Sequence, residues 1–353
     1  MTTKHLKALP KEERKINYTK KGKVTVKKFK SLLLIILCLA LVFPLTLASC
    51  GGKEDIANTE IKIGVLKGAT GIGASKLKKD SDDKVTTGKY NISFYETASV
   101  KNLTADIING TVNIAALPIN TAAALYNETG KVQVIAANAL GVLSIIGKDS
   151  LASIADLKGK TIHTTGQGAT PEYILNFLLT KNGLTPSTDV TVKFYADGTK
   201  AAAGAITEGG YAMLPEPATT ATLFKNPDLK LIFNVTNEWN KVSDTKLIQG
   251  VLVVNKEFAK QHGAAVDNFI KEYKASIGFM TEEATAADAA ALTVEYGLLA
   301  NTKIAADSIK RSSIVCITGK EMKKDVSAML SVLFNANADS IKGKLPEKDF
   351  YYV

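Results

Sequence analysis

Hydrophobic and polar residues change period along this chain in a regular order. From Leu32 to Ala48 the run is almost wholly apolar, broken only by Pro44 and Thr46. Beyond it the pattern becomes short. "IKIGVL" at 61–66 alternates as a half-buried strand does, and it runs into Gly68-Ala69-Thr70-Gly71 before a helix. "YNISFYE" at 90–96 predicts a second strand. Ser99 is then expected to cap a helix with Val100, Leu103 and Ile107 on one face, and Gly110 ends the run. "VNIAAL" at 112–117 predicts a third strand, with Asn120 placed to cap the next helix. The same order follows from "KTIHTT" at 160–165. Thr170 reads as an N-cap with Pro171 at the first helical position and Glu172 in the first turn. Ile174, Phe177 and Leu178 form that helix's apolar face, and Gly183 ends it.

These two stretches are copies. Lys67-Gly68-Ala69-Thr70 has a counterpart in Gln167-Gly168-Ala169-Thr170, and "ISFYET" at 92–97 has one in "VKFYAD" at 192–197. "LPINTAAALY" from 117 matches "LPEPATTATLF" from 214. Three matches in one order at nearly one offset argue for a duplicated strand-helix unit. Strand alternating with helix implies α/β lobes, each a mostly parallel sheet flanked by helices. Ligands of such sheets bind beyond the carboxyl ends of the strands. The loops 67–71, 96–99 and 117–120 of one lobe and 166–171, 197–199 and 214–217 of the other would then line one cleft. From Gln249 the repeat stops. "GVLVVNKEFA" predicts a strand entering a helix, and further helices are expected near 264–279, 284–297 and 320–336. Met322, Val326, Met329, Leu330 and Leu333 form a core stripe on the last.

Charge changes the picture only at the N-terminus. Residues 1–30 carry eleven Lys/Arg against two Glu, which is nine of the ten net positive charges; residues 31–50 carry none, leaving the rest near +1. The basic balance therefore says nothing about nucleic acid. A basic leader, an apolar run and then "LTLASCGG" at 45–52 form an export signal. The box resembles the lipobox of bacterial lipoproteins, in which the cysteine thiol is diacylated and becomes the first residue. The expected division is a lipoprotein signal peptide over 1–49 and a lipid-anchored tether over 50–59, with Cys50 as the lipidation site. Cys38 leaves with the leader, so Cys316 is the one remaining thiol and no intramolecular disulfide is expected.

"IKIGVLKGATGIG", "GTVNIAALPINTAAALY", "LASIADLKGKTIHTTGQGATPEYIL" and "YAMLPEPATTATLF" together resemble the type 2 periplasmic binding proteins of ABC importers, nearest the nitrate/sulfonate/thiamine-precursor group. The resemblance spans about 58–340. It implies a lobe built from both ends of the mature chain and a central lobe, joined by a two-crossover hinge. We place the lobes at 60–148 plus 248–353 and at 149–247, with crossovers near 147–150 and 245–250. It also implies a monomer that captures a small-molecule ligand by closure and delivers it to an ABC permease and its ATPase. The place of action would be the extracytoplasmic face of the cell membrane.

Several residues could bind that ligand. Thr70, Gly71, Gly168, Ala169 and Thr170 stand where helix N-termini point backbone N–H groups at a ligand, although any strand-helix turn needs such residues. Gln167 belongs to the same turn. Lys67 and Glu216 are the charged candidates at strand ends, with Pro217 beside Glu216. Pro118 and Asn120 either touch ligand or only start a helix. Tyr173 and Trp239 either stack on a ring or belong to the core. Lys67 and the helix N-termini favour an anion such as a sulfonate or carboxylate, and Glu216 an amine or protonated heterocycle. His163 sits in an alternating strand and reads as a packed or edge residue rather than a ligand. One thiol and two distant histidines leave no metal site, no cofactor is expected, and no nucleophile-base signature marks an enzyme. Two alternatives stand beside the receptor: an enzyme of the same fold acting on a small heterocycle, and a solute-sensing signalling module.

Overall fold

The computed structural model describes residues 56–353; Cys50 and the expected leader over 1–49 lie outside the described residues. The first copy of the repeat comprises β1 (Glu60–Leu66), α1 (Ala69–Asp82), β2 (Lys89–Tyr95), α2 (Val100–Asn109), β3 (Ile114–Pro118), α3 (Ile119–Thr129) and β4 (Val132–Ala139). Then come β5 (Leu143–Gly147), β6 (Thr161–Thr165), α4 (Thr170–Lys181), β7 (Thr191–Tyr195), α5 (Gly198–Glu208), β8 (Tyr211–Pro215), α6 (Ala218–Lys225), β9 (Lys230–Asn234) and α7 (Val235–Asn240). The remainder is β10 (Gly250–Asn255), α8 (Lys256–Gln261), α9 (Gly263–Thr281), α10 (Ala286–Glu295), α11 (Thr302–Arg311), β11 (Ile314–Ile317) and α12 (Gly319–Ala336). Local sequence explains most of these. β1 buries Ile61, Ile63 and Val65 on one face; α2 buries Leu103 and Ile107 before Gly110 closes it at φ 80°, and Ser99 holds its N-cap position without a side-chain capping bond.

Two mixed sheets result, ordered β11-β4-β10-β3-β1-β2 and β7-β6-β8-β5-β9. Reversing the second gives β9-β5-β8-β6-β7. Apart from the extra edge strand β11, it matches the first position by position: β4 with β9, β3 with β8, β1 with β6, β2 with β7. The duplicated sequence is thus a duplicated topology. The strand left over in each sheet is the one inserted between the third and fourth repeat strands: β10 in the first, β5 in the second. Both run antiparallel to their neighbours. The reason is geometric. Each enters from the other lobe at the carboxyl ends of the repeat strands, so it must run away from those ends.

That exchange moves the first crossover. The chain leaves the first sheet at Ala139 and β5 already lies in the second. It therefore crosses at Leu140–Val142, not at 147–150, and 143–148 do not belong with the first lobe. β5 has no preceding helix and runs against the repeat, so a strand-helix reading passes over it. The return crossover lies between α7 and β10. Gln249 ties the two connections together: its Oε1 accepts from Val142 N–H at 2.7 Å, and its own N–H donates to Ala139 O at 3.0 Å.

One apolar cluster covers one face of the first sheet under α12, where Met322, Val326, Met329, Leu330 and Leu333 are all buried. It continues into the second lobe through Ile162, Ile174 and Leu178. The opposite face of the first sheet packs on α1, α9 and α10. The sequence did not foretell α11 and β11.

Candidate functional site

The loops that end β1, β3, β6 and β8 meet between the lobes. At the end of β1, Gly68 (φ 119°) precedes α1, whose first helical hydrogen bond runs from Ile72 N–H to Gly68 O at 2.9 Å. The N–H groups of Ala69, Thr70 and Gly71 are therefore the donors that a helix start leaves free. Gly71 brings this helix against its own strand. A Cβ there would stand 2.9 Å from Leu66 O and 3.4 Å from both Leu298 and Phe94. The Thr70 hydroxyl donates to Leu66 O at 2.9 Å, which stiffens the same turn. Lys67 is not a lone cation: its Nζ lies 2.5 Å from Glu96 Oε1, at the exposed rim where β1 and β2 end.

The matching turn of the second lobe is built differently. Gln167 and Gly168 are exposed. Gly168 N–H donates to Glu172 Oε2 at 2.5 Å, and Ala169 N–H to Gly166 O at 3.0 Å. Tyr173 is buried and its hydroxyl donates to Gly168 O at 3.1 Å. Glu172 places a carboxylate on the helix start, so this turn offers an anion less than its partner does.

Thr170 and Asn120 both read as caps in the sequence, and neither caps. α4 begins at Thr170 behind Ala169, α3 at Ile119 behind Pro118, and no side chain caps either helix. Instead, Thr170 Oγ1 donates to Asn120 Oδ1 at 2.7 Å. The residues are 2% and 6% exposed, one on each lobe. Pro118, half-buried, pairs with Gly250 at the end of β3.

Glu216 and Pro217 follow β8, joined by a cis peptide bond. Glu216 N–H donates to Val142 O at 2.9 Å, which hangs this loop on the first crossover. Glu216 as a whole is 3% exposed. Oε2 accepts from Thr220 N–H at 3.3 Å, and Oε1 has no hydrogen-bond partner among the described residues. Burial pushes the carboxyl above the ordinary glutamate range, opposed by the Thr220 bond and the nearby Arg311 charge. Arg311 comes from the first lobe, and its Nη1 donates to Thr220 Oγ1 at 2.8 Å. Sequence reasoning missed Arg311, Thr220 and Gln249. Arg311 lies in the tail, outside the repeat that drew attention to the loops.

Trp239 is core. It is fully buried, its ring centroid lies 4.4 Å from that of Phe177, and Nε1 donates to Thr245 O at 2.6 Å. His163 is packed as expected, with Nδ1 2.9 Å from Tyr195 Oη and Nε2 3.0 Å from Gly209 O. A cavity of about 770 Å³ bordered by Lys131, Asn255, Lys256 and Tyr351 opens at the far ends of the first sheet's strands, away from these loops.

Two α/β lobes of one topology, joined by two adjacent crossovers and meeting at their strand ends, define a type 2 periplasmic binding protein fold. The chain belongs to the NMT1/THI5-like family, whose model matches residues 91–287. Its structure is similar to that of an ABC transporter protein from Parabacteroides distasonis, at 20% identity and a TM-score of 0.70 over 84% of this chain and 99% of that one. It is also similar to the alkanesulfonate-binding protein SsuA from Xanthomonas axonopodis pv. citri bound to MOPS (18% identity, TM-score 0.61, 83% and 96% covered). A third likeness is to the periplasmic nitrate-binding protein NrtA from Synechocystis PCC 6803 (12% identity, TM-score 0.59, 80% and 84% covered). At such identities the likeness is one of fold. No curated protein matches the sequence.

Proposed function

We propose that this chain is a lipid-anchored, extracytoplasmic solute-binding protein of an ABC importer. Residues 1–49 would be its signal peptide, Cys50 its acylated residue and 50–59 its tether; the lobes would close on a small organic solute and present it to the permease. The single observation that carries this is the buried bond between Thr170 and Asn120. It brings strand-end loops of both lobes together where sheets of this kind take ligands. The names of the similar structures, an alkanesulfonate-binding and a nitrate-binding protein, support a solute of sulfonate type; a carboxylate or a heterocyclic vitamin precursor stays within the proposal on the sequence resemblance alone.

The donors on the first lobe are Ala69, Thr70 and Gly71 N–H, with Asn120 beside them. Lys67 and Gly168 are engaged by Glu96 and Glu172. Solute recognition would thus rest on backbone donors and neutral side chains more than on a cation. A thermal-shift panel of alkanesulfonates including MOPS, nitrate, small carboxylates and aminopyrimidines tests this. Binding to the folded state raises Tm with ligand concentration, and one class should do so. A flat response to all four classes, confirmed by calorimetry, would overturn the reading.

A further inference from the structure

The lobes also touch away from the Asn120–Thr170 pair. α11, from the first lobe, lies along α6, from the second, and contacts it at both ends. Arg311 Nη1 donates to Thr220 Oγ1 at 2.8 Å near the start of α6. Lys303 Nζ stands 5.1 Å from the Phe224 ring centroid near its end. Between them Ala221 packs on the apolar cluster of the first lobe. The two helices therefore run antiparallel, seated on an apolar strip with a polar contact at either end. Neither contact belongs to the turns that begin α1 and α4.

We infer that Arg311 is a positioning residue that couples the lobes: through Thr220 it holds α6, and with it the Glu216 loop, against the first lobe. The chain of contacts is short. Thr220 receives Arg311 on its hydroxyl and gives its backbone N–H to Glu216 Oε2 at 3.3 Å. Glu216 N–H in turn holds Val142 O in the crossover at 2.9 Å. Moving α11 away from α6 breaks the first link: it takes the donor from the Thr220 hydroxyl and a neighbouring positive charge from the Glu216 carboxylate, which is costly for residues 3% exposed. A guanidinium suits the place because its fixed fork of donors can hold one hydroxyl while its charge faces a buried carboxylate. The inference does not depend on which solute, if any, the cleft takes.

Hydrogen exchange read by mass spectrometry on the full-length chain, without added solute, tests it. Wild type is compared with Arg311→Met, Thr220→Val and the double variant. Each single change should speed exchange about five- to tenfold in peptides covering 214–225, the worth of one hydrogen bond. The double variant should be no faster than the quicker single. Peptides from 319–336 should be unchanged, which separates loss of coupling from loss of folding. Arg311→Lys keeps the charge without the fork and should fall between wild type and Arg311→Met; it carries the comparison if the Met variant does not fold. Unchanged exchange over 214–225 in the Arg311 variants, or effects that add in the double variant, would overturn the inference.

Discussion

Thr170 Oγ1 donates to Asn120 Oδ1 at 2.7 Å, joining side chains fifty positions apart in sequence on opposite lobes. Both are nearly out of reach of water. A buried acceptor that loses its donor costs about 1–3 kcal/mol. Thr170→Val, which keeps shape and removes the hydroxyl, should therefore weaken binding of a solute found by the thermal-shift panel by roughly ten- to hundredfold. In a double-mutant cycle by calorimetry, Asn120→Ala on top of Thr170→Val should add little. Additive losses would mean that the two residues act apart.

Glu216 should leave a mark on the pH profile. Its folded carboxyl holds a proton more tightly than the unfolded one, because burial outweighs the Thr220 bond and the Arg311 charge. Its contribution to stability is therefore fully present below the ordinary glutamate value and lost as pH rises through the raised folded value. Glu216→Gln removes the titration. Relative to wild type, the variant's urea midpoint should climb across that window and then level off. A constant difference at every pH would refute the assignment.

Gly71→Ala should destabilise the fold. The added Cβ meets a backbone oxygen, Leu66 O, at 2.9 Å, and a backbone atom cannot swing aside. Overpacking of this kind costs about 1–3 kcal/mol. Denaturant unfolding measures it, and a neutral result would mean that α1 slides freely on β1.

Trp239→Ala should cost about 3–5 kcal/mol of stability. The ring is wholly buried against Phe177 in the core of the second lobe. Chemical unfolding reads the loss, and a drop in solute affinity with unchanged stability would instead put Trp239 in the cleft.

Cys50→Ala should abolish acylation and leave precursor or released protein. Metabolic labelling with a fatty acid decides the matter, and label retained by the variant would sink the lipoprotein proposal.

The sequence by itself determined what depends on neighbours along the chain. Alternation in "IKIGVL" and helical spacing of Leu103 and Ile107 state which face of each element is buried, because the period of the backbone sets where side chains point. Repetition at an offset near one hundred carried more, since two copies of one strand-helix unit must build like lobes with like strand-end loops. Those loops were legible before any coordinates: Gly68, Thr170 and Glu216 all stand where strands end. Tertiary structure alone decided what each side chain does there. Thr170 and Asn120 have the chemistry of caps, and locally capping would satisfy them; only the facing lobe supplies the partner each uses instead. Lys67 reads as a free cation until Glu96 is brought beside it by the pairing of β1 with β2. β5 crosses to the second sheet because it enters from the cleft end, a consequence of connectivity that no local period records. Arg311 is one charge among many on an amphipathic helix, and it gains a role only when α11 is laid against α6. Local pattern fixes which side of an element is buried, whereas partners distant in sequence are set by how the elements are packed together.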